Sequence, residues 1–151
     1  MSKGSDTSTP KLSVLLVDDD ENLLTSTTAL LSDEFDVTCA VDARAALELL
    51  KGRDFDVVCA DYRMPGMSGV ELLRSLDSGK MGRVLITGNR DFFEGNERCA
   101  PGEFKVVFKP YRLDRLTQAL EFEANRIRML NAAMQLKELR ERRGGSSPED
   151  T

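Results

Sequence analysis

At 151 residues with 40% hydrophobic content, the chain has the composition of one globular domain with short extras. A net charge of −5 argues against a dedicated nucleic-acid binder, and the lack of any histidine excludes Ser-His-Asp and Cys-His catalysis, histidine-held metals and a phosphohistidine inside this chain. No run nears the ~20 apolar residues that cross a bilayer, Met1–Lys11 has no secretory apolar core, and three irregularly spaced cysteines read as reduced thiols, so the expected setting is the cytoplasm, away from membranes.

Residues 1–10, rich in Ser, Thr and Gly and ending at Pro10, read as a disordered lead-in. Leu12–Val17 is apolar apart from Ser13 and stops at Asp18-Asp19-Asp20. Near-continuous apolar runs fit strands buried on both faces, and similar runs follow at Asp36–Val41, Phe55–Ala60, Arg83–Thr87 and Lys105–Phe108. Helical patterns lie between them. Asn22–Leu31 is the first, with Asp20 before it as a cap; Ala43–Lys51 is the second, with Asp42 as N-cap and Gly52 as stop. Val70–Leu76 is a short third. Gly95, Pro101 and Gly102 interrupt the region from Asn89 to Gly102, which predicts a short or mobile fourth helix. From Leu113 to about Arg143 there is no Gly or Pro, so one long helix is expected, ended by Gly144-Gly145. Cys39 and Cys59, inside apolar runs, read as small core residues.

Five strands alternating with helices imply parallel βα units with right-handed crossovers. The expected fold is α/β: a doubly wound, flavodoxin-like (βα)5 sheet with strand order 2-1-3-4-5 and an extended C-terminal helix. The domain would span residues 11–127, the helix extension 128–143 and a disordered tail 144–151. In such sheets a site forms beyond the carboxyl ends of the strands. There the sequence places Asp18, Asp19 and Asp20, then Asp61, then Thr87, then Lys109-Pro110. Clustered carboxylates take up protons or bind a cation. With oxygen donors and no histidine or clustered cysteine, Mg²⁺ is the expected metal. The cation would let an anionic phosphoryl group approach, one carboxylate would attack it, and lysine and threonine would steady its oxygens.

The segments VLLVDDDEN from Val14, VVCADYRMPGMSGVELL from Val57, VLITG from Val84 and FKPY from Phe108 resemble response-regulator receiver domains (CheY-like) of two-component phosphorelay systems. The resemblance covers about residues 12–127 in the family's order and spacing. It implies that Asp61 accepts a phosphoryl group from the phosphohistidine of a sensor histidine kinase or phosphotransfer protein. It implies a signalling protein rather than an enzyme. Asp19 and Asp61 would hold Mg²⁺ directly, with the backbone carbonyl of Arg63 as third ligand, and Asp18 would act through a metal-bound water. Thr87 and Lys109 would contact the phosphoryl oxygens, and the Lys109–Pro110 bond would be cis. Two departures stand out. Val106 replaces the aromatic usual three residues before the lysine. In the family the places of Arg63 and Asn89 flank the path of the hydrolytic water, so the resemblance implies that a long Arg63 would prolong the phospho-form.

Leu113, Leu116, Leu120, Ile127, Leu130 and Met134 step by threes and fours along the last helix, with Glu123 as an interruption. Leu120, Ile127, Leu130 and Met134 therefore form a candidate dimer or partner seam. Residues 126–143 carry six basic residues against Glu138 and Glu141. No helix-turn-helix is visible, so nucleic acid is not an expected partner, and the chain reads as a stand-alone regulator or a piece of a longer one. Three rival readings remain open at this point. A phosphorylation-independent receiver-like module would bind partners only. A haloacid-dehalogenase-type phosphatase would use Asp18, Asp20, Thr87 and Lys109 but leave Asp61 without a role. A flavodoxin-like FMN binder would need a phosphate loop where three acids stand.

Overall fold

The computed structural model describes residues 10–88 and 103–144. In chain order these form β1 (Leu12–Val17), α1 (Glu21–Leu31), β2 (Phe35–Ala40), α2 (Ala43–Gly52), β3 (Val57–Asp61), α3 (Gly69–Arg74), β4 (Gly82–Thr87), β5 (Lys105–Phe108) and α4 (Leu113–Gly144). The five strands are parallel in the order β2-β1-β3-β4-β5, as the alternation of apolar runs and helices predicts. Asn89, Cys99 and the predicted fourth helix lie outside the described residues, as do residues 1–9 and 145–151.

Successive strand residues face opposite sides, which builds two cores. Leu15, Val17, Val58, Ala60 and Leu85 pack with Ala43, Ala46, Val70, Leu72 and Leu73 of α2 and α3 on one side. Val14, Leu16, Val57, Cys59, Val84 and Ile86 pack with Leu24 and Leu31 of α1 and Leu116, Leu120 and Ala124 of α4 on the other. Each fully buried leucine, such as Leu120, contributes ~2 kcal/mol of transfer free energy.

The helix starts follow their caps. Asp20 accepts from the Leu23 N–H and Asp42 from the Ala45 N–H. Ser68 and Glu71 form a reciprocal capping box on α3. Gly52, expected to stop α2, is its last residue instead, and the break comes at Arg53, whose backbone is extended (φ −160°, ψ 159°). A second expectation fails at β2. This strand is an edge, only Phe35 and Ala40 of it are buried, and Cys39 is exposed with its sulfur 2.9 Å from the Thr28 hydroxyl. Its apolar look did not mean burial on both faces, because the strand has one neighbour rather than two.

Two glycines fix close approaches. A side chain at Gly69 would collide with the backbone carbonyl of Asp61, so the start of α3 lies directly against the end of β3. A Cβ at Gly82 would come within 2.6 Å of the Glu123 Cβ, so α4 crosses tightly over the start of β4. Glu123 does not interrupt the buried face, since it is only 7% exposed. Its carboxylate accepts the Arg83 backbone N–H (2.8 Å) and two bonds from Arg126 (3.0 and 3.1 Å).

Ile127 is the last buried residue of α4, and every described side chain from Arg128 onward is exposed. That exposed stretch reaches ~24 Å past the domain at 1.5 Å per residue. The candidate seam is corrected accordingly. Leu120 (0% exposed) and Ile127 (5%) are already spent inside this domain's own core, so only Leu130 and Met134 of the four are open to another molecule. Among the described residues no helix is long and apolar enough to cross a membrane.

Candidate functional site at the carboxyl edge of the sheet

The strand ends bring the predicted residues together. Asp18 follows β1, Asp61 ends β3, Thr87 ends β4, and Lys109 follows β5. Backbone bonds hold these ends in register: Asp18 N–H to Ala40 O, Tyr62 N–H to Ile86 O, and Lys109 N–H to Thr87 O. The Lys109–Pro110 peptide is cis.

Asp18 and Asp61 are buried to 7% exposure, while Asp19 stands exposed at the rim. One oxygen from each of the three lies within 4.8 Å of the others. Lys109 Nζ sits 2.7 Å from Asp61 Oδ1 and 4.0 Å from Asp18 Oδ2. Asp61 Oδ2 accepts the Arg63 N–H at 3.2 Å, and Asp18 Oδ1 accepts the Asp20 N–H at 2.9 Å. Thr87, the last residue of β4, is buried at 1% exposure.

The electrostatics follow from crowding. Burial pushes the Asp18 carboxyl above its ordinary range, and the charges of Asp61 and Asp19 add to the rise; the Asp20 N–H and Lys109 oppose it. Burial works against the Lys109 ammonium, but its hydrogen bond and charge pairing with Asp61, then Asp18, outweigh that and hold its pKa above the usual lysine value. Beneath the acids, burial pushes the Cys59 thiol far up, with Asp61 and Asp18 adding, so Cys59 is an inert core residue.

Beside the acids an open cleft of about 460 Å³ is lined by Asp19, Tyr62, Arg63, Met64, Pro65 and Ser68. Gly66 in this loop has φ +79°, a conformation glycine adopts without strain. The Arg63 side chain is exposed at the mouth of the cleft. On the other side of Lys109 an apolar groove of about 520 Å³ runs between α1 and the start of α4, with Leu23, Leu30, Pro110 and Tyr111 in its walls.

Two residues near the site had no role in the sequence reading. Tyr111 is half-buried and hydrogen-bonds the buried Thr27, tying the loop after Lys109 to α1. A tyrosine two places past the lysine and a threonine on the apolar side of α1 were the available signals. At Val106 the aromatic is indeed missing: this partly buried valine packs on the α2/α3 core. Phe104 does not replace it, because that ring is buried with the Arg83 guanidinium 4.9 Å above it.

Residues 14–121 match the family model described as the response regulator receiver domain. The chain belongs to the response-regulator receiver family. It is 35% identical to the transcriptional regulatory protein FixJ of Bradyrhizobium diazoefficiens over 116 residues, covering 75% of this chain and 57% of that protein. It is 32% identical to the regulatory protein AtoC of Escherichia coli, covering 80% of this chain and 28% of that one. A receiver-domain crystal structure from Clostridium thermocellum superposes with a TM-score of 0.70 at 27% identity, over 79% of this chain and 98% of that one. The chain thus spans about half or less of the length of these curated relatives. Receiver domains of response regulators are signalling modules, not typical enzymes.

Proposed function

We propose that Asp61 is the phosphoryl acceptor of this receiver domain, charged by a sensor histidine kinase or phosphotransfer protein and read out through protein contacts. The observation that carries this reading is the cluster at the sheet edge, with Lys109 Nζ 2.7 Å from Asp61 and two further acids alongside.

The donor set suits Mg²⁺. Three carboxylates converge, the neighbouring thiol is held in its protonated form, and burial, with the charges of Asp61 and Asp19 adding, raises the pKa of Asp18. Asp19, Asp61 and the backbone carbonyl of Arg63 would hold the ion, with Asp18 supporting it through a water. Bound there, the ion supplies charge neutralisation that admits an anionic phosphoryl group to an acidic site.

The chain's own residues do the rest. A carboxylate oxygen of Asp61 forms the new P–O bond while the donor's N–P bond breaks and its imidazole leaves to take a proton. Lys109, already bonded to Asp61, swings its ammonium onto a phosphoryl oxygen. Thr87 donates its hydroxyl to another. Proline and glycine hold the Met64–Gly69 turn beside the acceptor. Arg63, long and exposed at the cleft mouth, crowds the approach of the hydrolytic water and prolongs the phospho-form. Asn89 would act on the same path.

The test is chemical mapping. After incubation with acetyl phosphate and Mg²⁺, borohydride reduces an aspartyl phosphate to homoserine, which peptide mass spectrometry locates. Homoserine at position 61 is the expected result. Homoserine at another acid would move the acceptor, and none anywhere, with no beryllofluoride binding either, would favour a module that works without phosphorylation.

A further inference from the structure

The exposed half of α4 carries two apolar rows, and they differ in what they can meet. The first continues the buried face through Leu130 and Met134 and then ends, because Lys137 and Glu141 take the next positions. The second lies on the opposite side of the helix at about 100° per residue. It runs Phe122, Met129, Leu136 at intervals of seven, with Ala132 and Leu139 three places after the last two. Phe122 (48% exposed), Met129 (72%), Leu136 (54%) and Leu139 (53%) are all open to solvent. That spacing is the a/d repeat of a helix that packs against another helix, and the row spans ~26 Å.

The flanks of this row decide its partner. In a helix pair the residues beside the a and d positions face the partner's flanks and set which helices combine. From Met129 onward those flanks are Arg128, Ala133, Gln135, Arg140 and Arg142: arginines and neutral residues, with no acid. Glu138 and Glu141 sit away from the row, and Glu121, the one acid on a flank, stands at the domain end. A second copy of this chain would bring another set of arginines to the seam and only one flanking carboxylate, Glu121. That acid would meet Arg142 in an antiparallel pair or Arg126 in a parallel one and leave Arg128 and Arg140 without an acid. An apolar helix with acidic flanks would pair every arginine.

We propose that the outer face of α4, from Phe122 to Leu139, is a docking seam for an acidic amphipathic helix of a different protein. Apolar side chains along Met129 and Leu136 give the contact area. Arg128, Arg140 and Arg142 give the selection against like-charged partners.

The full chain would be titrated with a synthetic three-heptad helix carrying leucine at both core positions and glutamate at both flanking positions. The matched peptide with lysine flanks is the control, and sedimentation equilibrium reports the state of the chain alone. Expected results are a monomeric chain, 1:1 binding of the glutamate peptide, no binding of the lysine peptide, and affinity that falls as salt rises. Met129→Glu with Leu136→Glu should weaken binding at least about tenfold, as should Arg128→Glu with Arg140→Glu, while Met134→Glu on the other row leaves it unchanged. All these positions are exposed, so unchanged far-UV circular dichroism should accompany the loss. Equal affinity for both peptides, or none for either, would overturn the proposal. So would a dimer of the chain abolished by Met129→Glu, which would give the face to a second copy, or capture by anionic phospholipid vesicles with the peptide silent, which would give it to a membrane surface.

Discussion

Three carboxylates, two at one end of the sheet and one at the other, are buried to the same degree. Asp18 and Asp61 at the carboxyl edge and Glu123 at the amino edge are each 7% exposed. Their surroundings differ. Glu123 accepts a backbone N–H and two bonds from one guanidinium, so its charge is met inside the protein. Among the described residues the carboxyl edge gathers three acids around one ammonium, and Asp18 is left with a pKa above its ordinary range. Burial of an acid therefore says little about function. What separates the two ends is the number of acids that share one cation: one acid with one guanidinium at the amino edge, three acids around Lys109 at the carboxyl edge.

Removing a matched acid should hurt the fold most. Glu123→Ala orphans the Arg83 N–H and leaves the half-buried Arg126 with the Ser78 carbonyl but no counter-charge, and should cost about 3 kcal/mol by urea denaturation. Backbone approaches come next. Gly82→Ala drives a methyl into Glu123 and should cost about 2 kcal/mol. Gly69→Ala, against the Asp61 carbonyl, should cost a similar amount and also slow phosphoryl uptake in the folded fraction, which Gly82→Ala should not.

An unmatched acid should behave the opposite way. Because the folded state raises the pKa of Asp18, folding favours its protonated form. That contribution is complete at acid pH and is lost as pH rises through the raised value. Asp18→Asn keeps an oxygen for the Asp20 N–H and removes the charge. Without Mg²⁺ it should raise Tm by about 2–4 °C at neutral pH and give no gain at acid pH, while weakening Mg²⁺-dependent phosphorylation. A fall in Tm at neutral pH would show that the acid is matched after all. The smallest effect should be kinetic: Arg63→Ala should shed phosphate about two- to fivefold faster, followed by intact mass over time.

Much of this was legible in the sequence because parallel sheets leave two plain marks, continuous apolar runs and chemistry at the residue just after each run. Asp18, Asp61, Thr87 and Lys109 were readable for that reason. The misreadings share one physical cause, which is that composition does not report neighbours. The apolar look of the Cys39 strand hid its edge position. Glu123 read as a break in a helix face because its partners, Arg83 and Arg126, lie 40 residues before it and one turn after it. The threes-and-fours through Leu120 and Ile127 were real, but this domain's own sheet is what they meet. The row through Met129 and Leu136 became visible only once exposure told the two faces of α4 apart.

The distinction between the two acid sites is tested most directly by intact mass after acetyl phosphate and Mg²⁺, run side by side on wild type, Asp61→Asn and Glu123→Gln. The glutamine keeps an acceptor for the Arg83 N–H, so that variant remains folded enough to assay. One added phosphoryl group on wild type and on Glu123→Gln, with none on Asp61→Asn, is the predicted result. An adduct that persists on Asp61→Asn would contradict the account by placing the acceptor elsewhere.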